Sequence, residues 1–163
     1  MIMRRRHLLG LMVLPLLQVA PARALTPAEQ AFLDRLSGQG GWRAVPQGPT
    51  LYRIVKSGPA AGVPPRLIDT ARMHYQGRLE DGTVFEDTRA QGRPAALQLT
   101  RVIAGWKQVL PLMRPGDVWE LAVPASAGYG AAVSASGKVP AGSNLFFTIE
   151  LLSVTRLKLS SEL

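Results

Sequence analysis

Between Ala71 and Gln76 the side chains alternate, with Ala71, Met73 and Tyr75 on one face and Arg72, His74 and Gln76 on the other. A period of two means an extended strand with one face in a core. Asp81-Gly82 then supplies a two-residue turn, since these residues accept the left-handed backbone of tight hairpins. Thr83-Val84-Phe85 returns, so a hairpin is predicted here. Thr50 to Lys56 reads as another strand. Val118 to Val123 puts Trp119, Leu121 and Val123 on one face, and Leu145, Phe147, Ile149 and Leu151 line one face of a last long strand. A loop from Asp87 to Pro94 precedes a short apolar run at Leu97-Gln98-Leu99.

Helical spacing appears twice. Thr26-Pro27-Ala28-Glu29 offers a cap, a first-turn proline and a glutamate three positions after the cap. Ala31, Phe32, Leu33 and Leu36 follow, and the glycines from Gly38 to Gly41 end the run. A helix of about ten residues is marginal alone in water, so it must dock, as packing or as a weak dimer contact. Val102, Ile103, Trp106, Val109, Leu110 and Met113 mark a second helix, which Pro111 shortens or bends by removing an N–H. Gly- and Pro-rich loops are expected at Ser57 to Pro65, Arg114 to Asp117 and Gly128 to Gly142. Antiparallel strands and one amphipathic helix predict an α+β layer pair in one domain, without internal repeats.

The first 24 residues carry a different pattern. MIMRRRH is basic, LLGLMVLPLLQVA is an apolar run of 13, and Ala22-Arg23-Ala24 is a small-x-small site. The run is shorter than the ~20 residues of a bilayer span. It predicts a signal peptide over residues 1–24, cleaved after Ala24, with no stable membrane anchor left afterwards. This leader also distorts the charge. The whole chain carries +8, yet Arg4, Arg5, Arg6 and Arg23 sit in the leader, and the remainder has 15 basic against 11 acidic residues. A net +4 without a basic stripe does not point to nucleic acid.

Candidate chemistry is narrow. There is no cysteine, which removes disulfides, thiolate metal sites and thiol nucleophiles. The two histidines, His7 and His74, do not suggest a metal cage, and His74 reads as a solvated or locally bonded strand residue. Ser126, Ser134 and Ser136 lack the Gly-x-Ser-x-Gly setting of a nucleophile elbow, and no phosphate loop of the Walker type is present. A chemistry resting on shape and polarity, without proton transfer, metal or cofactor, is what remains. By periodicity alone Phe85, Trp106 and Phe147 read as core. Tyr75 and Tyr129 are better site candidates, because a phenol keeps a polar tip that needs a partner. Trp119 is assigned to core packing.

Four motifs in order carry a family resemblance. HYQGRLEDGTVFE, from His74 to Glu86, resembles HYTGxLxDGxxFD of the FKBP-type peptidyl-prolyl cis-trans isomerases. RVIAGW from Arg101 to Trp106 resembles their VIxGW helix start. MRPGDVWELAVPASAGYG from Met113 to Gly130 is similar to MxxGxxxxxxIPxxxAYG, and GKVPAGSNLFFTIELL from Gly137 to Leu152 to GxIPPxxxLxFxVELL. The lead-in LYRIVKSGPA resembles secreted bacterial members.

The resemblance implies a half-wrapped antiparallel sheet closed over one short helix, with an apolar pocket between them. Carried over by position, Tyr75, Phe85, Glu86, Ile103, Trp106 and Tyr129 would act on the bound amide, with Trp106 as the floor. The Tyr129 hydroxyl would meet a substrate carbonyl and the Ile103 N–H the next one. Leu97, Val102, Val139 and Phe147 would complete the substrate site. Five positions depart from the pattern: Glu86 replaces the usual Asp, Gln91 stands where an Arg often pairs with that Asp, Leu97 aligns with an aromatic wall, Ala104 stands where bacterial members often have Pro, and Pro111 is unusual inside the helix. The expected layout is a helical extension over 25–49, the isomerase domain over 50–157 and a tail over 158–163. The implied function is isomerisation of Xaa-Pro bonds in exported proteins in the periplasm, by a monomer that takes the family's macrolide inhibitors. A chaperone-like peptide-binding module with weak turnover is the alternative.

Overall fold

The computed structural model describes residues 24–158, so the expected leader up to Arg23 and the last five residues lie outside the described residues. In chain order the elements are α1 (Pro27–Ser37), β1 (Arg43–Ala44), β2 (Leu51–Lys56), β3 (Thr70–Leu79), β4 (Val84–Asp87), β5 (Ala95–Gln98), α2 (Ala104–Val109), β6 (Val118–Val123) and β7 (Leu145–Thr155). Short 3-10 turns occupy Leu99–Arg101, Leu110–Leu112 and Ala125–Ala127. The expected strands all form. The expected second helix is shorter than its apolar spacing suggests. Val102 and Ile103 are extended, α2 begins at Ala104, and the chain tightens to a 3-10 turn where Pro111 has no N–H to give.

All strand pairs are antiparallel, in the order β1-β2-β6-β7-β3-β4, with β5 also on β3. β3 is the hub. It pairs with β7 along its whole length on one side, and with β5 and then β4 on the other. Gly77 lies opposite both Phe147 and Glu86, which brings the hairpin beside the last strand. A Cβ at Gly77 would sit 2.5 Å from the Phe85 ring and 3.0 Å from Phe147, so glycine is what lets these rings approach the strand.

The two faces of the sheet have different cores. On the inner face Ala71, Met73, Leu121, Val123, Leu145, Ile149 and Leu151 are buried against Trp106, Val109, Leu110 and Met113. Burying each such Leu, Ile or Met contributes about 1.5–3 kcal/mol. On the outer face α1 lays Phe32, Leu33 and Leu36 over Leu51 and Ala122. Those two are paired across β2 and β6, and Phe146 pairs with Ala122 from β7. Phe32 meets Phe146 edge-on at 5.3 Å. α1 therefore acts in packing within the chain, the first of its two expected roles. A capping box starts it: Thr26 Oγ1 accepts the Glu29 N–H at 3.2 Å, and Glu29 Oε2 accepts the Thr26 N–H at 2.8 Å.

A buried carboxylate ties the start of β3 to the end of β7, at one end of their ladder. Asp69, fully buried, accepts from Arg66 at 2.9 Å, from Arg156 at 2.7 Å, and from the backbone N–H groups of Arg66 and Leu157. Burial pushes its carboxyl up, but these hydrogen bonds and the Arg66 charge hold it far below the usual carboxylate range.

Candidate functional site

Tyr75 on β3, Phe147 on β7 and Trp106 on α2 meet because inward alternation on two paired strands aims both rings at the helix. Trp106 is edge-on to Tyr75 at 4.9 Å and to Phe147 at 5.1 Å, the T-shaped geometry aromatic pairs favour. The three enclose one end of a cavity of about 210 Å³. Leu97, Val102, Ile103 and Tyr129 form its apolar sides, and Glu86 and Arg101 bring charge to it. Gly105 seats α2 close behind this floor, since a Cβ there would sit 2.6 Å from Val123 and 3.0 Å from Thr50.

Eight of the ten site residues named from sequence thus share one cavity: Tyr75, Glu86, Leu97, Val102, Ile103, Trp106, Tyr129 and Phe147. Phe85 and Val139 do not reach its surface. Phe85 is buried, edge-on to Phe147 at 5.8 Å, and Val139 is 1 % exposed in the same core. Both stand outside that lining, Phe85 against the Phe147 wall and Val139 within the core.

The polar groups are few and uncharged apart from the carboxylate and Arg101. Burial pushes the Tyr75 phenol up, and its hydrogen bond to the Glu86 carboxylate adds to this. Burial pushes Tyr129 up as well, with the Glu86 charge reinforcing it. Both phenols therefore stay protonated donors at neutral pH. The Ile103 N–H stands at the cap position of α2 and enters no turn or cap hydrogen bond among the described residues, so it is a second donor at the cavity.

Thr88 was not legible as part of the site. Its hydroxyl oxygen accepts the Tyr75 N–H at 2.9 Å, its N–H donates to the Tyr75 carbonyl at 3.0 Å, and it also meets His74 Nδ1 at 3.0 Å. This fixes Tyr75 and the loop after Glu86 together, and it gives His74 the local bond expected for it. The loop's two arginines divide: Arg89 pairs with Glu150, while Arg93, with Gln91, lines a hollow beside Glu86 and Leu97. Trp119 is buried and stacked on Tyr52 at 4.7 Å, away from the cavity lining.

No helix among the described residues is long and apolar enough to cross a membrane. Residues 63–152 match the family model of the FKBP-type peptidyl-prolyl cis-trans isomerases. The chain is 39 % identical over 126 residues to the outer membrane protein MIP of Legionella longbeachae, covering 77 % of this chain and 52 % of that one. It is 41 % identical over 103 residues to the FKBP-type 22 kDa peptidyl-prolyl cis-trans isomerase of Escherichia coli, covering 63 % and 48 %. The chain spans about half the length of these curated relatives. A crystal structure of a peptidyl-prolyl cis-trans isomerase from Pseudomonas syringae superposes with a TM-score of 0.71 at 28 % identity, over 79 % of this chain and 92 % of that one. The fold class read from sequence, an FKBP-like α+β sheet on a short helix, is the one observed, and the chain belongs to the FKBP-type peptidyl-prolyl cis-trans isomerase family.

Proposed function

We propose that the protein accelerates cis-trans isomerisation of Xaa-Pro bonds in exported proteins, with the aromatic cavity as its active site. The observation that carries this is the edge-on Tyr75–Trp106–Phe147 trio in one cavity with two donors, the Tyr129 hydroxyl and the Ile103 N–H. The uncatalysed step is slow, tens to hundreds of seconds, because amide resonance resists rotation by ~18–20 kcal/mol. At the twisted transition state the nitrogen loses conjugation and the bond loses dipole. A dry aromatic cavity favours that less dipolar form over the planar one, and an enzyme that binds the transition state more tightly than either isomer accelerates the exchange. The prolyl ring packs on Trp106, the Tyr129 hydroxyl donates to one carbonyl and the Ile103 N–H to the next. Glu86 holds Tyr75 in place. No group has to gain or lose a proton.

The leader expected over residues 1–24 supports action in the periplasm by a mature chain beginning at Leu25, and we read that chain as a monomer. N-terminal sequencing of periplasmic protein checks the cleavage; membrane-retained protein with Met1 intact would defeat it. The family's macrolides fit the same cavity. One observation favours the alternative reading, a peptide-binding chaperone with weak turnover: Leu97 leaves a wall open where an aromatic ring would close it. A protease-coupled isomerisation assay over Ala-Xaa-Pro-Phe peptides decides. Turnover abolished by a macrolide supports the isomerase; saturable peptide binding without turnover supports the chaperone.

A further inference from the structure

We propose that Arg101 makes this protein select an acidic residue next to the substrate proline. The proposal deepens the isomerase reading and rests on the cavity being the prolyl site. Arg101 closes the 3-10 turn before Val102 and is exposed. It is the one side chain with a full positive charge among those lining the aromatic cavity. It also lines a second hollow that runs on from that cavity past Leu97 and Val102 toward Thr70 and Gln98. A chain whose proline fills the first space has to pass Arg101 to use the second.

Among the described residues the Arg101 guanidinium has no hydrogen-bond or ion-pair partner. Arg89, another solvent-facing arginine near the site, differs, since it is held by Glu150. The surrounding carboxylates do not neutralise Arg101 either. Glu86 shares the cavity but faces the two phenols. Asp69, next to Thr70, is fully buried and occupied by Arg66 and Arg156. No carboxylate lines the second hollow, and Arg93 adds another cation on the far side of Leu97. An acidic side chain leaving the prolyl site on this flank meets an unpaired guanidinium and no like charge, whereas a lysine meets repulsion. An exposed pair of this kind is worth roughly a two- to five-fold preference, weakened by salt.

The test uses peptides with Glu, Gln or Lys placed before the proline in one set and after it in another. Exchange rates are read by NMR, which needs no cleavage at either side, and affinities by shift titration in the same samples. The wild-type protein is expected to favour Glu over Lys two- to five-fold on at least one flank at low salt, with the ratio collapsing at high salt. Arg101→Gln should bring the ratio to about one and Arg101→Glu should invert it. Because each ratio is internal to one variant, a general loss of activity does not imitate the result. Ratios unchanged by both substitutions overturn the proposal. If no peptide is turned over, the isomerase reading fails, and the same Glu-to-Lys ratios in affinity still decide the role of Arg101.

Discussion

Glu29 and Ser126 lie 97 positions apart, yet the Ser126 N–H donates to Glu29 Oε1 at 2.6 Å. The same carboxylate caps α1 through Thr26. One side chain thus joins the N-terminal helix on the outer face to the 3-10 turn Ala125–Ala127, three residues from Tyr129 in the cavity. Burial pushes the Glu29 carboxyl up, but the Ser126 and Thr26 hydrogen bonds outweigh it and hold it at about 2.

A depressed carboxylate stabilises the fold above its unfolded value and loses that contribution as pH falls through its folded value. Glu29→Gln should therefore lower stability at pH 7, and with it Tm, by the worth of one or two charge-assisted bonds, about 1.5–3 kcal/mol each. The gap to wild type should narrow as pH drops from 5 toward ~2. Thermal melts across that range check this, and a gap independent of pH would remove the carboxylate from the explanation.

Tyr129 and Trp106 should separate site from scaffold. Tyr129→Phe removes one hydroxyl donor, about 0.5–1.5 kcal/mol net, so kcat/KM should fall a few-fold with Tm nearly unchanged. Trp106→Ala should damage both, since removing a buried large aromatic costs ~3–5 kcal/mol. Because burial and Glu86 keep the Tyr129 phenol protonated, wild-type kcat/KM should stay flat from neutral to mildly alkaline pH. A Tyr129→Phe chain that unfolds while its folded fraction binds peptide normally would place Tyr129 in the core.

Gly77→Ala tests the close approach behind the cavity. The new Cβ has nowhere to go but into Phe85 at 2.5 Å and Phe147 at 3.0 Å. Over-packing of this kind costs ~1–3 kcal/mol. Since Phe147 is a wall of the cavity, peptide affinity should fall with stability, and Phe85→Leu in the same chain should restore part of both. Double-mutant melts and titrations read the coupling; strictly additive losses would mean the rings relax independently.

Much of this was legible because strand alternation states which face a side chain takes. Tyr75 and Phe147 could be placed inward, and RVIAGW put Val102, Ile103 and Trp106 beside them. Depth was not legible: Phe85 alternates correctly yet stops one layer behind the cavity, because the hairpin's reach depends on the Gly77 register. β1 is two residues long and β5 opens on two alanines, so neither carries a readable period. Arg101 sat within a recognised motif but received no role there, because a missing partner is a fact of three dimensions. The Glu29–Ser126 bond joins groups too distant in sequence for any local pattern to relate them.

Leu97 offers the sharpest test of catalytic strength. It is half-buried and borders the aromatic cavity together with the hollows on either side of it. Leucine there leaves the prolyl site wider than a ring would, and water reaches the twisted amide more easily. Leu97→Phe should add roughly 0.5–1.5 kcal/mol of aromatic contact with the residues around the proline, raising kcat/KM a few-fold. The opposing effect is over-packing, ~1–3 kcal/mol where neighbours already fill the space. Here they do not: Ala95 and Ala96 are small, and the flanking hollows give a phenyl ring room on both sides. The gain should therefore win. Measuring kcat/KM and Tm for both proteins decides it, and a well-folded Leu97→Phe variant no faster than wild type would show that this wall does not limit the rate.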